Sequence, residues 1–259
     1  MSIRTKTSVE SVAPAGDADP CPRSGLGNTL LQALSPADFA LLEPHLRRVP
    51  LTRNSILAHA GDPIDQLCFP EAGVIGFADV LESGQRLAVA LTGREGFVGW
   101  PLVLGNDRWP HEVIVRAESG TALKIGAAEL LTVLASSDRV RTLLLRYSSI
   151  LMTQMARTIV SNLIHSIESR AARWILLYHD RIEGDVIMMT HEELGVMLGV
   201  RRSSITDALH RLEGEGAISG QRGRVTVRDR ECLKSLAGET YGFPESEYAR
   251  LLSHHDEAM

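Results

Sequence analysis

The sequence predicts an α+β protein, with an N-terminal β-roll of jelly-roll type, a long helix behind it and a C-terminal winged helix-turn-helix. Three observations carry this reading. From about residue 49 to residue 125, short apolar runs alternate with glycine turns, the texture of many short antiparallel strands. From Ala127 to about Ser169, helix breakers all but vanish and apolar residues recur at three- and four-residue steps. Residues 190–230 then combine a capped helix, a glycine stop, a second helix and a hairpin.

Composition sets the frame. A chain of 259 residues with 44% hydrophobic content accommodates two domains, each with its own core. No run of about 18 uncharged apolar residues occurs, so no membrane span is expected. Met1 to Gly27 is rich in Ser, Pro, Gly, Asp and Thr, lacks the apolar block of a secretion signal, and reads as a flexible lead-in. A soluble, cytoplasmic protein is therefore expected. Cys21, Cys68 and Cys232 stand far apart without a C-x-x-C pair, which argues for unpaired structural thiols and against a disulfide, zinc or iron–sulfur framework. The net charge of −5 by itself argues against nucleic acid. Its distribution argues the other way. From Arg201 to Arg230 seven arginines face four acids, a net +3 within an acidic chain.

Taken in order, residues 28–48 read as helical, with Leu30, Leu31, Leu34, Phe39, Leu42 and Leu46 at helical spacing and a fresh start at Ser35-Pro36. The glycine-marked strands follow, and a barrel or double-sheet roll would remove their free edges. Behind them Val140, Leu143, Leu144, Tyr147, Ile150, Leu151, Met155, Ile159, Leu163 and Ile167 form one apolar stripe. A helix from Asp138 to Ser169 would be about 48 Å long. A stripe of that length favours a parallel helix pair at a two-fold axis over a core helix lying on its own barrel. Residues 170–181 read as a further helix and Val186–Met189 as a short strand. The division is thus a lead-in over 1–27, a sensor roll over 28–136, a dimerisation helix over 137–169, a DNA-binding unit over 170–236 and a tail over 237–259.

The chemistry concentrates in residues 190–230. Thr190 and Glu193 form a T-x-x-E capping box that starts a helix at His191, with Leu194, Met197 and Leu198 as its apolar face. Gly199 stops it. A second helix runs from about Arg202 to Glu215, with Ile205, Ala208, Leu209 and Leu212 inward and Arg202, Ser203, Thr206 and His210 outward. Arg201 stands at its entrance, and Arg222 and Arg224 lie in the hairpin behind it. Such a unit lays its second helix in the major groove of duplex DNA, where Arg reads guanine edges and wing arginines reach phosphates. The competing reading, a small α/β core with solvated arginines, does not account for cap, turn, stripe and wing together.

The stretch E-E-L-G-V-M-L-G-V-R-R-S-S-I-T-D-A-L-H-R-L-E-G-E-G resembles the DNA-binding helices of the Crp/Fnr family. The patterns A-G-D-P-I-D-Q-L-C-F-P-E-A-G-V-I-G, S-G-Q-R and G-R-E-G-F-V-G resemble that family's cyclic-nucleotide-binding-like roll. The resemblance covers about residues 29–236. It implies a homodimeric transcription regulator that binds a palindromic DNA site through Thr190, Arg201, Arg202, Ser203, Ser204, Thr206, His210, Arg211, Arg222 and Arg224, with RNA polymerase as a partner. Two departures matter. In the reading helix, Ser203, Ser204 and Asp207 replace the family's common Glu, Thr and Arg, so a different DNA sequence is expected. In the ligand cassette, Gly99-Trp100 stands for the Gly-Glu pair and His111-Glu112 for the Arg-Ser pair, with Arg108 as a stand-in if the register slips. A buried phosphate needs fixed positive charge, so cyclic nucleotide is not expected in a pocket of Gly99, Trp100, Arg108, His111 and Glu112. The cysteine group of the iron–sulfur members is absent. His45, His59 and His111 remain the haem-ligand candidates by analogy, structural roles being the commoner fate of a lone histidine.

Other signals are weak. His191-Glu192 opens like H-E-x-x-H, but Gly195 breaks the metalloprotease pattern. No nucleophile–base spacing supports an enzyme, and no metal set is expected. The effector stays unidentified, and a binder independent of any effector is the alternative.

Overall fold

The computed structural model describes residue 23, residues 25–116 and residues 120–253. Cys21, His254 and His255 lie outside the described residues, as does all of the lead-in except Arg23 and Gly25–Gly27. The chain begins with two short helices, α1 (Thr29–Gln32) and α2 (Pro36–Leu42). Asn28 and Ser35 cap them by accepting the N–H groups of Leu31 and Asp38. The helical reading of 28–48 holds only this far. Pro44 lies in a 3-10 turn over Glu43–His45, and the chain is a strand from Arg47. Proline offers no N–H and clashes with the preceding turn, so the helix cannot run on.

Seven strands make the roll: β1 (Arg47–Leu51), β2 (Ile56–Ala58), β3 (Gln66–Pro70), β4 (Ile75–Val80), β5 (Arg86–Thr92), β6 (Glu112–Val115) and β7 (Gly120–Gly126). One sheet runs β1-β7-β3 and the other β2-β6-β4-β5, every pair antiparallel. A bridge between Cys68 and Val98 ties the first sheet to the loop that leads into α3 (Trp100–Val103). Phe69, Phe77, Phe97, Val113, Val115 and Leu123 fill the space between the sheets.

Helix α4 (Ala127–Ser136) leads into α5 (Asp138–Ile164), whose N-terminus Ser137 caps through the N–H of Val140. Helix α5 has 27 residues and is about 40 Å long. The expected continuation to Ser169 does not occur. His165 is extended, Ser166 accepts the N–H of Ser169, and a new helix, α6 (Ile167–His179), begins. The break has a packing reason. Ala171 to Tyr178 are all buried, so α6 is the central helix of the next unit and must leave the direction of α5.

That unit contains α6, β8 (Val186–Ile187), α7 (His191–Leu198), α8 (Arg202–Gly214), the hairpin β9 (Ile218–Gln221) and β10 (Arg224–Val227), and α9 (Arg230–Ala237). Its small sheet runs β8-β10-β9. A last helix, α10 (Phe243–Ser253), lies within the stretch read from sequence as a tail; it packs on α5. The guanidinium of Arg157 sits 4.6 Å from the Phe243 ring centre. No helix among the described residues is long and apolar enough to cross a membrane.

The unit is seated on the roll. Val74, Ala88 and Leu91 of the roll share a core with Trp174, Leu177, Leu194 and Met197. Polar links reinforce the seat: Arg53 pairs with Glu193 (2.8 Å) and Arg181 pairs with Glu95 (2.7 Å), while the N–H of Leu91 ties the roll to α5 by donating to Gln154 Oε1 (2.7 Å). The buried Arg173 donates through Nε to Thr240 O and through Nη2 to Gln154 O, and burial lowers its pKa to about 10.

Candidate nucleic-acid interface

Thr190 Oγ1 accepts the N–H of Glu193 while a Glu193 carboxylate oxygen accepts the N–H of Thr190, so both halves of the capping box are made. At the other end of α7, Gly199 is left-handed (φ 65°, ψ 33°). A Cβ there would stand 2.4 Å from Leu87 of the roll, so both its conformation and its position require glycine. The chain turns and α8 begins at Arg202. Ile205, Ala208, Leu209 and Leu212 are buried as their spacing predicts.

The remaining positions of α8 sort by angle at about 100° per residue. Arg202, Thr206, His210 and Ser203 share one outer face, and all but the half-buried Thr206 are exposed. Of these, Arg202 and His210 border an open cleft between α7, α8 and the hairpin, together with Thr190, His191, Gln221 and Arg222. His191 Nδ1 lies 3.1 Å from Thr206 Oγ1, which also donates to Arg202 O, so the Thr206 hydroxyl is already engaged. Arg224 is exposed on the hairpin. Arg201 precedes α8 and faces a second cleft, toward Gly84, Gln85 and Arg86 of the β4–β5 turn; Arg202 borders both clefts.

Two of the expected contact residues lie elsewhere. Ser204 is half-buried, and Arg211 pairs with Glu168 of α6. Both stand about half a turn from Arg202. Spacing could have separated them from the others. His191 and Gln221 were not named from the sequence as contact residues. The first position after a cap points to His191, whereas Gln221 joins the cleft only through hairpin pairing.

The five residues expected to form a ligand pocket do not assemble as a group. Trp100 and His111 come together, with ring centres 6.3 Å apart, and the His111 ring pairs with Asp79. Gly99 holds φ 124°, and a Cβ on it would stand 2.3 Å from Leu67. Glu112 is a correction to the expected pocket. Strand alternation puts it on the face opposite Val113 and Val115, where it pairs with Arg86 (2.8 Å). Arg108 is a second correction. It is exposed and donates to Gly61 O (2.8 Å), held there by the Pro63–Arg108 bridge. Of the remaining histidines, His45 is exposed and His59 faces Glu112 at 3.6 Å, so the three candidate haem ligands do not converge. Cys68 is buried and its thiol pKa is pushed up to about 12 by that burial, despite the opposing effect of Lys124. Cys232 is also free.

The Crp-like helix-turn-helix domain family matches residues 169–236, and the cyclic nucleotide-binding domain family matches residues 48–137. The chain belongs to the Crp/Fnr family. It has that family's transcription-regulator fold, with a helix-turn-helix DNA-binding domain. Solved structures agree in fold. TTHB099, a Crp-family transcriptional regulator of Thermus thermophilus, is 17% identical over 73% of this chain and 96% of its own, with a TM-score of 0.62. FixK2 of Bradyrhizobium japonicum is 13% identical over 74% and 96%, with a TM-score of 0.64. CLP of Xanthomonas campestris, a c-di-GMP responsive global regulator, is 16% identical over 74% and 99%, with a TM-score of 0.61. No curated protein matches.

The family's cyclic nucleotide does not fit the residues present. A cyclic phosphate between Trp100 and His111 would need a cation beside it. Arg108 is held on the outside by Gly61, and Arg86 is paired on the other face of the sheet.

Proposed function

We propose that this Crp/Fnr-family chain is a homodimeric, sequence-specific DNA-binding regulator of transcription. The observation that carries it is the single outer face formed by Arg202, Ser203 and His210 with the wing arginine Arg222 beside it. Arg202 at the start of α8 is the base-reading residue, since the first turn of a recognition helix enters the groove first and a guanidinium matches guanine O6 and N7. Arg222 and Arg224 contact phosphates, and Ser203 and His210 adjust the preference. Arg201 and Thr190 flank the site. Arg211, ion-paired with Glu168, serves the seat of α8 on α6 instead.

The dimer is supported by α5. Val140, Leu143, Leu144, Tyr147 and Leu151 of the expected stripe lie against this chain's own roll. Ile159 and Leu163 of that stripe stay exposed, in one row with Leu145, Ser149, Met152 and Ala156 at alternating four- and three-residue steps. That is the spacing of a two-stranded coil. Two such chains would set their reading helices about 34 Å apart, in successive major grooves of a palindromic site. RNA polymerase is the partner such a bound dimer would engage, and the cytoplasm its place. Control by a small effector is supported by the seating of α7 and Gly199 on Leu87 and Arg53 of the roll, because a ligand that moves those strands moves the reading unit.

The test is Arg202→Ala against Arg222→Ala, by gel shift at one salt concentration, on a site selected from random DNA and on unrelated DNA. Loss of a bidentate base contact costs about 1–3 kcal/mol, so Arg202→Ala should weaken specific binding about tenfold to hundredfold and unrelated DNA little. Arg222→Ala should weaken both alike. Equal losses from Arg202→Ala on the two DNAs would remove the base-reading role.

A further inference from the structure

A cleft at the junction of the roll and the winged unit carries an inference that no family ligand supplies. Its volume is about 290 Å³. The roll contributes Ala72, Gly73, Arg94 and Arg116, and the winged unit contributes Tyr178, Arg181, Ile182, Glu183 and Val186 to Met188. Three arginines therefore border one small space, and they come from both halves of the molecule.

Arg94 and Arg116 are poorly matched in charge, whereas Arg181 has Glu95 beside it and Asp180 and Glu245 near. Arg94 has one distant acidic neighbour, Glu183, at 3.9 Å, and that carboxylate is 95% exposed. Arg116 has no carboxylate within 4 Å among the described residues. The Arg181 side chain is only 7% exposed. Its Nη1 donates to Leu177 O (2.6 Å), and its Nε lies 2.7 Å from Glu95 without the alignment of a hydrogen bond. Its Nη2 makes no hydrogen bond among the described residues. The local backbone is cut to admit these side chains. A Cβ on Gly76 would meet Arg116 at 3.1 Å, and one on Gly93 would meet Arg181 at 3.0 Å. The wall opposite is apolar, with Ile182, Val186 and Ile187.

We propose that this cleft is a binding site for a small oxyanion-bearing molecule, its phosphate or carboxylate group held by Arg94, Arg116 and Arg181 and its body against Ile182 and Val186. An oxyanion in this cleft would give the unmatched guanidinium groups of Arg94 and Arg116 charge-assisted hydrogen bonds, with Arg181 on the same border. A ligand held from both sides joins the roll to the α6–β8 loop, and thereby biases how the reading unit sits. Only this consequence rests on the DNA-binding reading above; the binding itself does not.

The experiment is calorimetric titration of the full-length protein without DNA, using pyrophosphate in one arm and citrate in the other, each against potassium chloride of equal ionic strength. Arg94 is 47% exposed and Arg116 half-buried, so Arg94→Gln and Arg116→Gln are expected to fold, which thermal melting checks. Saturable binding in at least one arm, weakened about tenfold in each variant as loss of one charge-assisted hydrogen bond requires, supports the site, and the arm that binds identifies the group. Heats no larger than those of the chloride control in both arms overturn it. So does binding that both folded variants retain at full strength. Because no DNA is present, either result leaves the base-reading test on Arg202 to stand or fall separately.

Discussion

At Gly99 two constraints meet on one residue. The backbone there is at φ 124°, and the space a Cβ would take is filled by Leu67 at 2.3 Å. Gly99→Ala is expected to lower the free energy of unfolding by about 2 kcal/mol or more, read as a fall in the urea midpoint with an unchanged slope. A midpoint within error of the parent would show that the loop before α3 yields. The sequence marked Gly99 as part of a ligand cassette. The structure gives it a packing reason that pattern alone does not supply, since Leu67 lies over thirty positions away. The same limit explains Glu112 and Arg108. Their types and spacing matched a pocket, but side-chain direction in a strand is set by register, and register by which strands pair.

At the scale of elements, Glu71 shows how a turn is fixed to the sheet it follows. It accepts from Arg48 of β1 at 2.6 and 2.8 Å, from the N–H of Gly27 at 3.2 Å and from Thr121 of β7 at 3.3 Å. Burial by itself would raise its pKa, but Arg48 and the other donors together hold the carboxyl below its ordinary value. A carboxyl lowered in the folded state stabilises it at pH above the unfolded value of about 4.3, and that contribution fades as pH falls through the lower folded value. Glu71→Gln should therefore melt below the parent at neutral pH, with the gap closing in acid. A gap that persists at low pH would mean that the charge is not its source. The winged unit was the most legible element in the sequence, because cap, glycine stop and inward stripe are local signals. The end of α5 was not legible. Nothing in S-N-L-I-H-S-I-E-S forbids a helix, and the break follows from α6 having to be buried on all sides.

The whole molecule is two cores joined through the face of β4 and β5, with α5 running beside them. The exposed seam of α5 is an unmatched apolar row among the described residues: Met152 is 51% exposed, Ile159 61% and Leu163 78%. A single-chain protein would hold such a row against water at no benefit to its own fold. Ile159→Glu with Leu163→Glu should therefore halve the mass seen by light scattering and leave the circular dichroism spectrum and thermal melt of each chain nearly unchanged. An undiminished dimer would place the two-fold contact elsewhere. A parent that already runs at single-chain mass would remove the paired-helix reading altogether.

The amino-acid order alone determined the succession of roll, long helix and winged reading unit, the capped turn before α8, and the exposure of Arg202. These follow from periodicities and caps that act over a few residues. Tertiary structure decided which part of the apolar stripe of α5 lies on the roll and which stays open, which way Glu112 points, that Arg211 serves Glu168, and that Arg94, Arg116 and Arg181 border one cleft. Each of those depends on contacts between residues far apart in the chain, and such contacts are fixed only when the sheets close and the two cores dock.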